Sequence, residues 1–538
     1  MKRIATFLSV LALAALLGAC NQKQEVKYSI TADRAAILEV AANNPAPEVI
    51  LVETDAPYWI VTTSDDWISV DPVTAPGGGK SAIVTVNILP NYKNESTTTN
   101  PRSGEIKFSG GMTSLIVPVS QLGHQASVDP SVSIGGIPDM DEFMDFVNAV
   151  NEGAALDRWR NDAGEVALLT DIDLNEFTSW TPIGNVKKSG NGNNASKAEG
   201  NTFSDKFNGN NFTIKNFKVV QELEANETWG LFGYLENATV KNLKVEADVV
   251  LSAKGVSDAG IVAGTAYCST IENVHVTGKI KSTGTSATTR FAIGGIAGFL
   301  FSVYNTGEGV AYDTFVTDCS VDMTVEAVGG ANLANGAGCA MYGGIAAFAT
   351  NVKDESQIHI TNCTNSGSMT VTLGRCSGIL ATANYGTIIT GCTNNASQVN
   401  DITNGRIGQI VCNLSVNSKV SDCQNNGNLT TTGESTTTAA LVALVADDSI
   451  VVEGGERIAN TGTILGCTPK YLGLIVANTT KTGGIKDFVL SGRIGVYKAD
   501  GNHEMYDVTA ANVMDYIGYV ADAYKEKVTN ITYVAPTE

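Results

Sequence analysis

The chain has 538 residues, with 35 Lys and Arg against 55 Asp and Glu, 55 Gly and only 13 Pro. A formal charge of −20 and the lack of any basic run argue against nucleic acid or an anionic lipid surface as partner. Gly, Asn and Thr in abundance point to an all-β, turn-rich chain, and the length to several domains or one long repeat array.

In chain order, Lys2 and Arg3 form a short basic head, Ile4 to Leu17 is almost wholly apolar, and Leu17-Gly18-Ala19-Cys20 closes the segment. This is too short for a stable membrane span and ends in small residues, as a signal peptide does. The cysteine after Leu-Gly-Ala resembles the bacterial lipobox, which implies cleavage before Cys20 and acylation of its thiol. Several acyl chains would anchor the protein to lipid. Asn21, by resemblance to lipoprotein sorting, implies the outer membrane, with the chain facing the cell exterior. Removing residues 1–20 takes away Lys2 and Arg3, leaving 33 basic against 55 acidic residues and a charge of −22. No later apolar stretch approaches membrane-spanning length.

Residues 21–123 form the next region. Alternating stretches such as Ile83-Val84-Thr85-Val86-Asn87-Ile88 and Glu105-Ile106-Lys107-Phe108 are separated by turns such as Pro76-Gly77-Gly78-Gly79. Short strands at this spacing predict a β-sandwich. Trp59-Ile60-Val61, Trp67-Ile68-Ser69-Val70-Asp71-Pro72, Arg102-Ser103-Gly104-Glu105-Ile106 and Val117-Pro118-Val119-Ser120-Gln121 follow in order. Together they resemble the BACON domain, an Ig-like module named for its association with carbohydrate-active proteins of Bacteroidetes. Trp59 and Trp67 either stack on sugar rings or pack the sandwich core. The module accordingly serves as an auxiliary carbohydrate binder or as a spacer.

After a linker at 124–136, residues 137–497 read as a parallel β-helix. Phe143, Phe146, Val147 and Val150, at i, i+3, i+4 and i+7, mark an amphipathic helix that covers the first coil or binds a partner. One phrase then recurs: Ile214-Lys215-Asn216-Phe217, Val240-Lys241-Asn242-Leu243, Ile271-Glu272-Asn273-Val274, Val316-Thr317-Asp318-Cys319, Ile360-Thr361-Asn362-Cys363, Ile389-Thr390-Gly391-Cys392 and Val420-Ser421-Asp422-Cys423. A degenerate copy ends at Ile458, and Ile485-Lys486-Asp487-Phe488 closes the series. Most copies are followed by an Asn/Gly turn, as in Thr364-Asn365-Ser366-Gly367. Between copies runs a glycine phrase: Gly260-Ile261-Val262-Ala263, Gly294-Gly295-Ile296-Ala297, Gly343-Gly344-Ile345-Ala346 and Ser377-Gly378-Ile379-Leu380. A coil that cannot bury its apolar face alone stacks on the next, so equivalent residues form columns at about 4.8 Å spacing. Nine coils would extend about 45 Å. Asn and Asp between the apolar columns belong at turns.

The opening of the array, with Trp180-Thr181-Pro182-Ile183-Gly184, Phe207-Asn208-Gly209-Asn210-Asn211-Phe212-Thr213-Ile214 and Gly230-Leu231-Phe232-Gly233-Tyr234, resembles GLUG-type β-helices of bacterial surface and adhesin-like proteins. Phe212 stands where that family usually has histidine. The resemblance implies a right-handed coil. Residues 498–538 read as a C-terminal cap, where Val513, Tyr516, Ile517, Val520 and Tyr524 repeat the helical spacing. The fold class is therefore all-β: an Ig-like β-sandwich followed by a right-handed parallel β-helix with short helical caps at both ends.

Cys319, Cys363, Cys392 and Cys423 share one repeat position, with Cys339, Cys376 and Cys412 near the glycine phrase. In-register side chains fit disulfide torsions poorly, which favours buried thiols over bridges. His124, His275, His359 and His503 are scattered, no Cys-x-x-Cys occurs, and no cofactor motif is present, so no metal or cofactor is expected. Protease, hydrolase-elbow and phosphate-loop motifs are absent. The expected role is non-catalytic: a glycan-binding or adhesive surface protein, with Trp59, Trp67, Trp229 and Tyr234 as candidate ligand contacts. A β-helical polysaccharide lyase or glycoside hydrolase, and a structural or protein-binding role, stand as alternatives. A binding face would show exposed aromatic residues or a groove; an enzyme would show clustered acids beside a basic residue.

Overall fold

The computed structural model describes residues 27–42, 45–92, 99–124, 133–189, 196–283, 291–328, 340–351, 355–372, 374–498 and 500–536. Cys20 and the leader lie outside these residues, as does Cys339. The chain divides into two compact units, residues 1–130 and 131–538. No helix among the described residues is long and apolar enough to cross a membrane.

The first unit is a sandwich of a four-stranded and a five-stranded sheet. Period-two alternation does the work. In Arg102–Gly110 the residues Gly104, Ile106, Phe108 and Gly110 turn inward while Glu105 and Lys107 face water. Its partner Thr113–Gln121 buries Val117 and Val119. With Ile50, Val52, Trp59, Val84 and Val86 these side chains form one core.

The second unit is a parallel β-helix. Each coil contributes to three sheets, a long one of 24 strands, one of 8 and one of 10, and every coil pairs in parallel with the next. One inward column makes the repeat visible: Val240, Ile271, Val316, Ile360, Ile389, Val420, Val452, Ile485 and Val528 stand in unbroken register. Two copies of the recurring phrase are displaced from this column. Ile214 pairs with Val245, and Phe207 takes the place beside Val240. Ile458 likewise sits elsewhere, because Val452 occupies the column in that coil. The phrase was matched by composition, and two strands of similar composition in one coil make that match ambiguous.

In every coil of the column but that of Val452, the residue two places on bends the long sheet. Asn242, Asn273, Asp318, Asn362, Gly391, Asp422 and Asp487 all have φ between +46° and +69°. Asn and Asp tolerate this left-handed region better than other side chains, and Asn530, at φ +54°, adds a further copy. The turn chemistry expected of this Asn/Asp interchange is what the corner shows. The glycine phrase makes the corner between the 8- and 10-stranded sheets, where a Cβ on Gly294 would lie 1.9 Å from the Ala297 carbonyl oxygen.

Asn365 corrects the sequence reading. It lies in the strand Thr364–Thr372 and points inward, not in a turn. Asn365, Asn394, Asn425 and Asn460 stack in register, each Nδ2 donating to the next Oδ1 at 2.9 Å. Upstream, the same position holds Val245, Val276 and Val321. Two residues before Val321 and the first three amides, Cys319, Cys363, Cys392 and Cys423 form a buried column of free thiols. Each Sγ–H donates to a carbonyl of the preceding coil.

The helix α1 (Met140–Glu152) covers the first coil with Phe143, Phe146, Val147 and Val150 buried. Asp139 caps its start by accepting from the Glu142 N–H, and Gly153, at φ +73°, ends it. Each buried Phe contributes roughly 1.5–3 kcal/mol. Buried Glu142 accepts from the Arg158 guanidinium at 2.6 and 2.9 Å and from the Trp159 Nε1 at 2.8 Å. The other end differs from expectation. Val513–Tyr516 and Asp522–Lys527 are 3₁₀ turns, separated by the short strand Tyr519–Val520. Gly518, at φ +112°, interrupts the helical spacing, and Tyr519–Val520 instead extends the 10-stranded sheet against Asn478 and Thr479. The strand Val528–Tyr533 then continues the long sheet, so the array runs past residue 497.

Candidate functional site

The expected aromatic contacts are placed mostly inside. Trp59 is fully buried and meets Phe108 edge-to-face at 5.7 Å. Trp229 is buried and stacks on Phe217 at 5.5 Å. Tyr234 is buried, and desolvation holds its phenol well above the usual range. None of these three faces can meet a ligand, and their candidacy as contacts is withdrawn: each falls on an inward position, where burial of a large ring outweighs exposure. Trp67 is half-buried, with the Arg102 guanidinium 4.4 Å above its ring. Arg102 is held there by Gln121 and by the Leu89 and Pro90 carbonyls. Arg102 therefore occupies one face of the Trp67 ring.

Another site emerges at the corner between the 10-stranded and long sheets. The strand Ala263–Tyr267 ends there, and Cys268 turns the chain at φ +49°. In the next coil the strand Ala297–Asn305 overshoots this corner and folds back as Val310–Tyr312, pairing antiparallel through Val303↔Tyr312 and Tyr304↔Ala311. Asn305 makes the reversal: its carbonyl accepts from the Gly309 N–H at 2.8 Å and its side chain from the Gly307 N–H at 3.0 Å. Gly309 adopts φ +67°.

The hairpin walls a groove of about 500 Å³. Tyr267, Tyr304 and Tyr312 line it, together with Glu236, Glu308, Asn237 and Asn305. Among the described residues, no Lys, Arg or His lines the groove. Tyr267 is braced from behind by Phe301, stacked at 5.5 Å, and by Tyr234, tilted at 6.2 Å. The Tyr312 hydroxyl donates to Glu308 at 2.8 Å, which raises its pKa, and Glu236 accepts from the Thr202 hydroxyl at 2.7 Å. Burial pushes the Cys268 thiol up to about 12, so it stays protonated. Tyrosine side chains together with carboxylate and amide acceptors give the groove an amphipathic lining of the kind that binds small polar ligands. No group of three His, Cys, Asp or Glu side chains among the described residues is placed to hold a metal ion.

The sequence reading missed Tyr267, Tyr304 and Tyr312. Their signal was one of the three long intervals of the array, Ile271 to Val316, carrying Asn305-Thr306-Gly307-Glu308-Gly309. Tyr234 was singled out, but it supports the groove rather than lining it.

Fold and groove define an all-β protein, a sandwich joined in sequence to a parallel β-helix that carries a lateral groove. Residues 58–122 match the family model "BACON: Putative binding domain, N-terminal". No curated protein matches the chain. Among solved structures, the chain is similar to a "putative immunoglobulin A1 protease from Bacteroides ovatus". Identity is 19%, coverage is 55% of this chain and 77% of that one, and the TM-score is 0.36. A structure described as "IgA1 Protease" is 14% identical over 95% of this chain and 29% of its own, with TM-score 0.33. A Bacteroides ovatus GH5 xyloglucanase in complex with a heptasaccharide is 10% identical over 41% of this chain and 46% of its own, with TM-score 0.16.

Proposed function

We propose that the protein is a non-catalytic, glycan-binding lipoprotein of the outer membrane, anchored through acylated Cys20 and facing the cell exterior. The observation that carries the binding role is the tyrosine groove at Tyr267, Tyr304 and Tyr312. Its aromatic faces suit the C–H faces of sugar rings, and its carboxylates and amides suit their hydroxyls. The BACON match at residues 58–122 supports a carbohydrate-binding or auxiliary role for the first unit. A glycoside hydrolase centre would set two free carboxylates across the scissile bond; here Glu308 is engaged by the Tyr312 hydroxyl and Glu236 by the Thr202 hydroxyl. The lipobox-like Leu17-Gly18-Ala19-Cys20 supports the anchor.

The test is retention of the purified protein on a panel of plant, host and bacterial polysaccharides, with released sugars measured in parallel. Retention without products is the expected result. Released oligosaccharides would overturn the non-catalytic reading. Absence of retention on every member would replace glycan binding with a protein-binding or structural role.

A further inference from the structure

Three residues beyond Tyr312, the chain presents a second exposed aromatic side chain. Phe315 is 38% exposed and stacks on His359 of the following coil, with ring centroids 4.8 Å apart and planes 9° from parallel. His359 Nε2 lies 3.5 Å from the Asp313 carboxylate, which holds the imidazole in place. The backbone fixes this platform firmly. Phe315 donates its N–H to the Ser269 carbonyl and pairs with Thr270, two residues from Cys268 at the groove floor. Three extended residues reach at most about 10 Å, so groove and platform adjoin along the same corner.

The carboxylates along this path are Glu236 and Glu308 in the groove and Asp313 beside the platform, and among the described residues no Lys or Arg lines the groove. The sequence as a whole carries a formal charge of −20. A uronic-acid or sulfated chain would meet like charge at every step, an unfavourable pairing that rejects it. Carboxylates accept hydrogen bonds from neutral hydroxyls without that cost.

We infer that the groove and the Phe315–His359 platform form successive subsites for one neutral polysaccharide chain, longer than a disaccharide, and that anionic glycans are excluded. This rests on the glycan-binding reading above and adds the ligand's charge class and its direction of extension.

The experiment uses the purified full-length protein in affinity gels containing neutral β-glucan, mannan or xylan, and in gels containing polygalacturonate or hyaluronan. Oligosaccharides of a retained neutral polymer are then titrated calorimetrically. Retention by at least one neutral polymer and by neither anionic one is expected. Affinity should rise from disaccharide to hexasaccharide. Phe315→Ala should remove about tenfold of that gain and leave disaccharide affinity unchanged, with Phe315→Tyr restoring it. Tyr304→Ala, on the protruding hairpin, should weaken both lengths. Near-UV circular dichroism confirms that each variant is folded. Retention by anionic polymers would overturn the inference while leaving glycan binding intact. A length dependence unchanged in Phe315→Ala would overturn the second subsite. No retention on any glycan would overturn the functional reading itself.

Discussion

The upstream and downstream coils of the β-helix fill one inward position with opposite chemistry. Val245, Val276 and Val321 occupy it first, then Asn365, Asn394, Asn425 and Asn460. Valine at this place needs only van der Waals neighbours. Asparagine brings an amide whose burial costs several kcal/mol unless both ends are satisfied. Stacking at strand spacing supplies the remedy, because each amide donates to the next along the axis. Second donors from Asn394, Asn425 and Asn460 reach the carbonyls of Ala396, Gly427 and Gly462 and tie down the following bend. A parallel β-helix can therefore bury a polar column where a single coil could not.

The sharpest way to break this comparison is Asn394→Ala. It leaves Asn365 without its acceptor, Asn425 without a donor and the Ala396 carbonyl unsatisfied. The expected loss is about 3–5 kcal/mol by denaturant unfolding followed in the far ultraviolet. A loss below about 1 kcal/mol would mean that the amide column contributes little.

A smaller effect separates Val276→Asn from Val321→Asn. Val321 adjoins Asn365, so a new amide there lengthens the existing column by one rung. Val276 has valine on both sides and offers a new amide no such partner. Val321→Asn should be the less destabilising by about 1 kcal/mol, the worth of one hydrogen bond. Equal losses would show that the column gains nothing from continuity.

On the outer face of the first coils, polarity is handled by charge pairing. Glu165 accepts from Asn208 at 2.9 Å and meets Lys241 at 2.8 Å, and the hydrogen bond from Lys241, more than its charge, holds the carboxyl below its ordinary value. A depressed carboxylate contributes stability that is full above its unfolded pKa and lost as pH falls through the folded one. Glu165→Gln should therefore cost about 1 kcal/mol near neutrality and nothing once the pH has fallen below the folded-state value. A melting-temperature difference that persisted in acid would refute the pairing.

The smallest expected effect is silence. Burial pushes the Cys376 and Cys423 thiols well above their usual range, and Cys319, Cys363, Cys392 and Cys412 are buried with them. A soluble thiol reagent should leave these six unmodified in the native protein and label all of them after denaturation. Mass mapping of the labelled peptides reads this directly; rapid native labelling of Cys392 would reveal an opening coil.

Much of this architecture was legible beforehand, because a β-helix writes its period into the chain. The inward aliphatic column, the Asn/Asp corners and α1 follow from local rules: side-chain alternation, left-handed tolerance and the 3.6-residue face. The buried amides were legible as residues yet misread. Cys363-Thr364-Asn365 and Cys392-Thr393-Asn394 have the inward spacing, but an isolated Asn is normally a turn residue, and only stacked neighbours in successive coils make it a core one. The candidate site was the least legible part. Tyr267 and Tyr304 lie in successive coils of one sheet, and Tyr312 folds back beside Val303.

What the sequence determined by itself was periodicity: all-β class, a stacked array, which side chains alternate inward and where the chain can bend. Those depend on neighbours within a few residues or on repetition itself. What the tertiary structure decided was company. It set which of two similar strands joins the column, whether an amide finds its partner, that Trp59, Trp229 and Tyr234 are core, and that three tyrosines meet at one corner. These outcomes depend on contacts between residues distant in the chain, and on loops whose lengths the repeat does not prescribe.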